Sequence, residues 1–171
     1  WRLIWHRSVW LVSLMLFQSV SSMIMGTYDA MIRSHAIISF FLTMLIGTGG
    51  NAGNQSATLI IRGLINREIS PDNAMKVLWR EFGIGIVIAS LLVTFGFFRV
   101  YYFYHDVVSA IAINISLFFI VLMSMILGTM IPIVLERFNI DPAHSAAPFL
   151  ATLMDILGVL IYCFICSKIL H

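Results

Sequence analysis

Five long stretches of the chain carry almost no charge, and charged or turn-forming residues separate them. These stretches predict five apolar helices, over residues 8–32, 36–65, 74–99, 106–135 and 142–168. An α-helix rises about 1.5 Å per residue and the hydrocarbon core of a bilayer is about 30 Å thick, so roughly 20 apolar residues cross it. The pattern therefore predicts an all-α, polytopic membrane protein with five transmembrane helices in a lipid bilayer.

The composition narrows the class of protein further. Of the 171 residues, 60 % are hydrophobic and 11 % are charged, whereas about a quarter of the residues of a soluble domain are charged. The formal net charge of +2, without a basic patch, argues against a nucleic-acid partner. The sequence shows no nucleophile–base pair and no H-E-x-x-H motif, so we predict that the protein is not an enzyme.

The distribution of basic residues indicates an orientation in the membrane. Seven Lys or Arg residues flank one membrane face and three flank the other. The larger group comprises Arg2, Arg7, Arg62, Arg67, Lys76, Arg80 and Arg137, and the smaller group comprises Arg33, Arg99 and Lys168. Because cytoplasmic loops carry the excess of positive charge, we expect a multi-pass protein of the cell (inner) membrane. Its N-terminus would be cytoplasmic and its C-terminus outside.

One acidic residue, Asp155, interrupts the middle of the fifth predicted helix, whereas the other seven acids lie at segment ends or in loops. An Asp at the bilayer centre costs about 3 kcal/mol on insertion scales. Asp155 is therefore either a neutral acid hydrogen-bonded between helices or a charged group that faces a wet cavity. Composition alone leaves both interpretations open.

The middle of the second predicted helix is rich in glycines and amides, and residues 47–56 read GTGGNAGNQS. Each internal glycine costs about 1 kcal/mol of helix propensity relative to Ala. Packing of small residues explains Gly49 and Gly53, which are four positions apart, but not the adjacent Gly50 and three amides. We therefore expect this helix to be broken, so that backbone carbonyl and amide oxygens face a cation.

A carboxylate beside an oxygen-rich segment favours a hard cation such as Mg²⁺, which is usually held by one or two carboxylates while it keeps most of its waters. Softer metals prefer thiolates and imidazoles. The histidines are near predicted membrane boundaries: His6, His35, His105, His144 and His171. Cys163 and Cys166 form a C-x-x-C in an apolar stretch, so we interpret them as packed or lipid-facing residues. Two copies of Asp155 about a two-fold axis would match a divalent charge, which suggests a homodimer as a hypothesis.

Two segments of the sequence resemble the MgtE magnesium transporter family. The first is GGNAGNQSAT at residues 49–58, followed by Arg62 and Gly63. The second comprises residues 141–143 and 148–155 with Gly158 and Tyr162, and it is similar to the final helix of the family. The resemblance covers essentially the whole chain, and the ten-residue run is highly specific.

The resemblance implies a dimeric pore domain whose pore lies at the homodimer interface, lined mainly by the second and fifth predicted helices. It implies that hydrated Mg²⁺, as the transported ion, is held through water by Asp155. The carbonyls of Gly50 and Ala151 and the side chain of Asn54 would assist. The alternative is a cation-coupled (Na⁺ or H⁺) exchanger of divalent metals, or a Mn²⁺ or Co²⁺ transporter of the same fold.

Bacterial members of the family typically carry a cytosolic N-terminal region with paired CBS modules that bind magnesium. No part of this sequence corresponds to that region, and the chain begins with Trp1 rather than Met. We therefore expect residues 1–171 to form the transmembrane pore domain, with the cytosolic regulatory region absent from this sequence.

Overall fold

The computed structural model describes residues 1–70 and 72–170, except for the side chains of Arg2, Leu3, His6 and Arg7. These residues form six α-helices: α1 (Arg2–Thr27), α2 (Asp29–Ser34), α3 (Ala36–Ile65), α4 (Ala74–Tyr104), α5 (Val107–Arg137) and α6 (Pro142–Ile169). The described residues contain no strand. The predictions made for the side chains of Arg2, Arg7, His6 and His171 lie outside the described part of the chain.

Five of the helices are long and apolar enough to cross a bilayer: Ser8–Thr27 within α1, and α3, α4, α5 and α6. This confirms the predicted all-α membrane fold with five candidate spans. The first predicted helix, residues 8–32, corresponds to α1 followed by the short helix α2. Asp29 and Arg33, four residues apart in α2, form an exposed ion pair at 2.7 Å, which suits a segment at the membrane boundary better than one inside it.

The helix that we expected to be broken is continuous, so this prediction is wrong. Helix α3 runs without interruption through its glycines. A Cβ atom on Gly53 would collide with Ser124 of α5, and a Cβ atom on Gly128 of α5 would collide with the backbone carbonyl of Gly53. Close packing of α3 on α5 therefore stabilises a helix that its intrinsic propensity disfavours. The hydroxyl of Ser124 also donates a hydrogen bond to the carbonyl of Gly49.

Helix α5 is the centre of the bundle and packs against α3, α4 and α6. Several of its buried polar side chains donate to carbonyls of their own helix: the amide of Asn114 donates to the carbonyl of Ala110, and the hydroxyl of Ser116 donates to that of Ala112. Such internal bonds let polar residues lie in an apolar bundle at low cost. Helix α1, by contrast, packs chiefly against α6 and leaves most of its surface exposed.

The beginning of α5 is capped by Asp106, whose carboxylate accepts hydrogen bonds from the backbone N–H groups of Val108 and Ser109 at 3.0 and 3.2 Å. The Ser109 hydroxyl also donates to this carboxylate, and together these bonds lower the pKa of Asp106 below its ordinary value. A carboxyl group whose folded-state pKa is lowered stabilises the fold above its ordinary pKa. The stabilisation disappears as the pH falls through the lowered value.

We expect Asp106→Ala to reduce the free energy of unfolding by about 1 kcal/mol, as is typical for the loss of an N-cap. The difference between variant and wild type should shrink as the pH is lowered through the pKa of Asp106. Thermal unfolding in detergent at several pH values measures this. The matched control is Asp72→Ala, an exposed acid that accepts no hydrogen bond from the residues described. Equal losses in both variants would contradict a capping role.

Candidate ion site

Helices α3 and α6, the second and fifth predicted helices, run antiparallel along their whole contact. The phenol of Tyr162 donates to the carbonyl of Ile38 at 2.8 Å near one end. Towards the other end, a Cβ atom on Gly53 would lie 3.1 Å from Leu150. Between these contacts, a Cβ atom on Gly49 would lie 3.4 Å from Met154. Residue numbers therefore rise along α3 as they fall along α6, and the pairs Gly49–Met154 and Gly53–Leu150 share one register.

This register brings the four predicted site residues to one side of the helix pair. Gly50 and Asn54 each follow a contact glycine of α3, and Ala151 and Asp155 each follow a contact residue of α6. In two right-handed helices that run antiparallel, the residue after each contact residue lies on the same side of the helix pair. We call this side, which carries Gly50, Asn54, Ala151 and Asp155, the flank. At about 1.5 Å per residue, the four positions fall within about 9 Å along the helix axes.

The flank lies at the middle of the spans. Asp155 follows the first residue of α6, Pro142, by 13 positions and precedes the last, Ile169, by 14. Gly50 lies 14 residues after the start of α3 and 15 before its end. In the single chain, Ala151 is exposed and Asp155 is half-buried. The carboxyl group therefore lies at mid-depth on an accessible surface rather than in the closed core of the bundle.

The Asp155 carboxylate accepts a hydrogen bond from the side-chain amide of Gln18 in α1. Gln18 was not among the site residues predicted from the sequence. Its signal was available, because Gln18 lies at the midpoint of the first candidate span, Ser8–Thr27, where an amide is costly without a partner. The contact joins α1 to α6 at Asp155.

An open groove of about 620 Å³ runs along the exposed side of α3, lined by Asn51, Asn54, Gln55, Thr58 and Leu59. The amide oxygen of Asn54 is buried and has no hydrogen-bond donor among the described residues. Such an acceptor costs about 1–3 kcal/mol. A half-turn of the Asn54 amide would exchange its oxygen and nitrogen and turn the oxygen away from that buried position. In that turned orientation the Asn54 oxygen could accept a hydrogen bond from a water of a hydrated ion.

The carbonyls of Gly50 and Ala151 belong to uninterrupted helices, so each accepts the N–H group four residues further along. Each carbonyl oxygen keeps a second lone pair for a further donor. No atom lies within 4 Å of a Cβ built on Gly50, so this part of α3 is open. A hydrated ion could therefore approach the Gly50 carbonyl without any unwinding of the helix.

The site offers one carboxylate and several neutral oxygens. Within the described residues, no group of three or more His, Cys, Asp or Glu side chains could hold a metal. Cys163 and Cys166 are free and fully buried in α6, in agreement with their interpretation as packed residues. A sparse set of oxygen ligands suits a cation that keeps its water shell rather than one that is stripped of it.

Comparisons with known proteins agree with the sequence resemblance. Residues 42–165 match the family MgtE, described as a divalent cation transporter. The chain is 37 % identical over 153 residues to the magnesium transporter MgtE of Thermus thermophilus, an alignment that covers 90 % of this chain and 34 % of that protein. It is 29 % identical over 167 residues to the magnesium transporter MgtE of Bacillus subtilis, covering 98 % and 37 %.

The chain spans about a third of the length of the curated relatives that it matches. The matched family region includes the glycine- and amide-rich part of α3 and the part of α6 that carries Asp155. The family is a transporter family, which is consistent with the prediction that the protein is not an enzyme. Since the family match covers well over half of the residues, the chain belongs to the MgtE family of divalent cation transporters.

Proposed function

We propose that residues 1–171 form a transmembrane pore domain that conducts hydrated Mg²⁺, the transported ion, along the flank shared by α3 and α6. One observation carries the proposal: Asp155 lies near the middle of its helix, on the flank to which the helix register also assigns Gly50, Asn54 and Ala151. A carboxylate at this depth is costly unless it faces water or a cation. The names of the relatives, magnesium transporters, support Mg²⁺ as the ion.

We propose that Asp155 holds the ion through its waters. Mg²⁺ releases its waters reluctantly, and its hydration shell donates hydrogen bonds to carboxylate, carbonyl and amide oxygens. Asp155 supplies the charge, while Asn54 and the carbonyls of Gly50 and Ala151 supply further acceptors. This division allows an ion to bind without being trapped, because conduction requires sites that are weak enough to release it.

A homodimer completes the path in this proposal. The flank and the adjoining α3 groove expose a carboxylate and several amides, and exposed polar groups in hydrocarbon cost several kcal/mol each. A second copy related by a two-fold axis along the membrane normal would cover these groups and add a second Asp155. The two carboxylates would then match the charge of one divalent cation. In this proposal the N-terminus is cytoplasmic and the C-terminus is outside, which the excess of basic residues on one membrane face favours.

Transport of ions by purified protein in liposomes tests the function. Flux of Mg²⁺, Mn²⁺, Co²⁺ and Ca²⁺ is measured with and without a membrane potential, in the absence of any Na⁺ or proton gradient. We expect Mg²⁺ to enter under a negative internal potential alone. Uptake that requires a Na⁺ or proton gradient would instead support the alternative, a coupled exchanger. Faster flux of Mn²⁺ or Co²⁺ than of Mg²⁺ would identify that ion as the transported one.

We expect Asn54→Ala to weaken Mg²⁺ transport without abolishing it. The variant loses one neutral acceptor of the hydration shell, which corresponds to about a threefold to tenfold rise in KM. Concentration-dependent flux in liposomes measures this change. Asn66→Ala is the matched control, because Asn66 is an exposed amide beyond the end of the same helix. An unchanged KM in Asn54→Ala would remove Asn54 from the ion site.

A further inference from the structure

The contact between Gln18 and Asp155 is the one side-chain hydrogen bond that joins α1 to another helix within the described residues. The other side-chain hydrogen bonds described for α1 stay within that helix. The hydroxyl of Ser13 donates to the carbonyl of Val9 at 2.8 Å, and that of Ser19 donates to the carbonyl of Met15 at 3.2 Å. The only polar attachment described for α1 therefore ends on the acid of the proposed ion path.

The surroundings of Gln18 do not explain why an amide occurs there. Its neighbours in α1, Leu16 and Phe17, are large apolar residues with 64 % of their surface exposed in the single chain. An apolar residue at position 18 would insert into the membrane more easily than an amide. Gln18 has a favourable partner only because the Asp155 carboxylate of α6 lies within reach.

We propose that Gln18 is a positioning residue for Asp155, and this inference rests on the proposed function. The Gln18 amide donates to one carboxylate oxygen and so fixes the rotamer of Asp155 while the site is empty. The other carboxylate oxygen is left for the hydration shell of the cation. The positioning thus lowers the conformational cost of binding, because the ligand is already oriented.

The oxygen of the Gln18 amide can act as an acceptor when a hydrated cation is bound at Asp155. Waters of a hydrated cation are donors and compete with the Gln18 N–H for the carboxylate oxygen. A turn of the Gln18 amide would replace the lost contact, because its oxygen can accept a hydrogen bond from the same hydration shell. Occupancy of the site and the position of α1 are then coupled through this one side chain.

The test uses Gln18→Met, which keeps the length of the side chain and its apolar stem but removes the amide. The variant should insert and fold, because Met is favourable in a transmembrane helix. We expect KM for Mg²⁺ to rise about tenfold, the factor carried by one hydrogen bond to a charged group, with a much smaller change in maximal flux. Gln18→Asn, one methylene shorter, should give an intermediate KM.

A spectroscopic measurement separates positioning from mere attachment of α1. The infrared difference between Mg²⁺-free and Mg²⁺-bound protein should contain an Asp155 carboxylate band that is missing in Asp155→Asn and shifted in Gln18→Met. Ser19→Ala is the matched control, since its hydroxyl bonds within α1, and it should leave both the band and KM unchanged.

Four outcomes decide between the possibilities. A raised KM and a shifted band in Gln18→Met support the inference. A lower thermal stability of Gln18→Met with wild-type KM and band would overturn it, because the contact would then only attach α1. Wild-type flux in Asp155→Asn would overturn the proposed function itself, whereas loss of flux there with an unaffected Gln18→Met would overturn this inference alone.

Discussion

Asp155→Asn should reduce Mg²⁺ flux into liposomes to the background of protein-free vesicles while the protein still folds. Asn has nearly the same shape as Asp and keeps an oxygen that can accept from the Gln18 amide, so the substitution removes mainly the charge. Two unit charges 4 Å apart attract each other by about 4 kcal/mol at an effective dielectric constant of 20. Since each 1.4 kcal/mol is about tenfold in affinity, the expected loss exceeds about a hundredfold.

The matched control is Asp141→Asn in the same helix. The Asp141 carboxylate caps α6 by accepting from the N–H of Ala143 at 2.9 Å, and Asn is an equally good N-cap. The control therefore removes the same charge from the end of α6 without removing the cap, and we expect nearly normal flux. If both variants lost transport equally, general charge rather than the mid-depth position of Asp155 would control the flux. Normal flux in Asp155→Asn would exclude Asp155 from the ion path.

Gly128→Ala should have the largest effect on stability, with a loss of about 3 kcal/mol or more in the free energy of unfolding, at the upper end for overpacked interiors. Its new Cβ atom would overlap the carbonyl oxygen of Gly53 and come within 3.0 Å of the Gly53 Cα atom. These are backbone atoms of a helix, so they cannot move aside as a side chain can. The helices α3 and α5 would have to separate, and that would also disturb the register between α3 and α6.

Replacement of a second glycine, Gly47, by Ala should instead raise the free energy of unfolding. No atom lies within 4 Å of a Cβ built on Gly47, so Gly47→Ala adds a methyl group in open space within α3. Replacing an internal helical glycine by Ala gains up to about 1 kcal/mol. Thermal unfolding and monodispersity in detergent measure both variants. Similar melting temperatures would contradict the close packing of α3 on α5.

The sequence was sufficient to locate most of the fold. Long uncharged stretches predicted the five spans because a bilayer excludes charge and requires helices to satisfy their own backbone. One deviation was at the end of the first span, where α1 stops at Thr27 and a separate helix, α2, follows, and another was at the end of the third, where α4 continues to Tyr104. The lone acid at mid-span was equally visible in sequence, because insertion cost makes a mid-membrane Asp rare.

Helix α3 is continuous although its sequence predicts a break. The low helix propensity of four glycines predicts a break in this helix. Two of them, Gly49 and Gly53, instead pack against α5 and stabilise the continuous helix. The other two, Gly47 and Gly50, meet no atom within 4 Å. Propensity is a local quantity, and close packing between helices depends on a partner that is more than 70 residues away in the chain.

The apolar pattern by itself thus determined the number, class and approximate limits of the spans, together with the acid at mid-depth. Only the tertiary structure decided which residues share a flank with that acid and that Gln18 of α1 is its hydrogen-bond partner. The reason is physical. Span positions follow from the free energy of transfer of each segment into hydrocarbon, whereas register and side-chain pairing follow from how separate helices pack against one another.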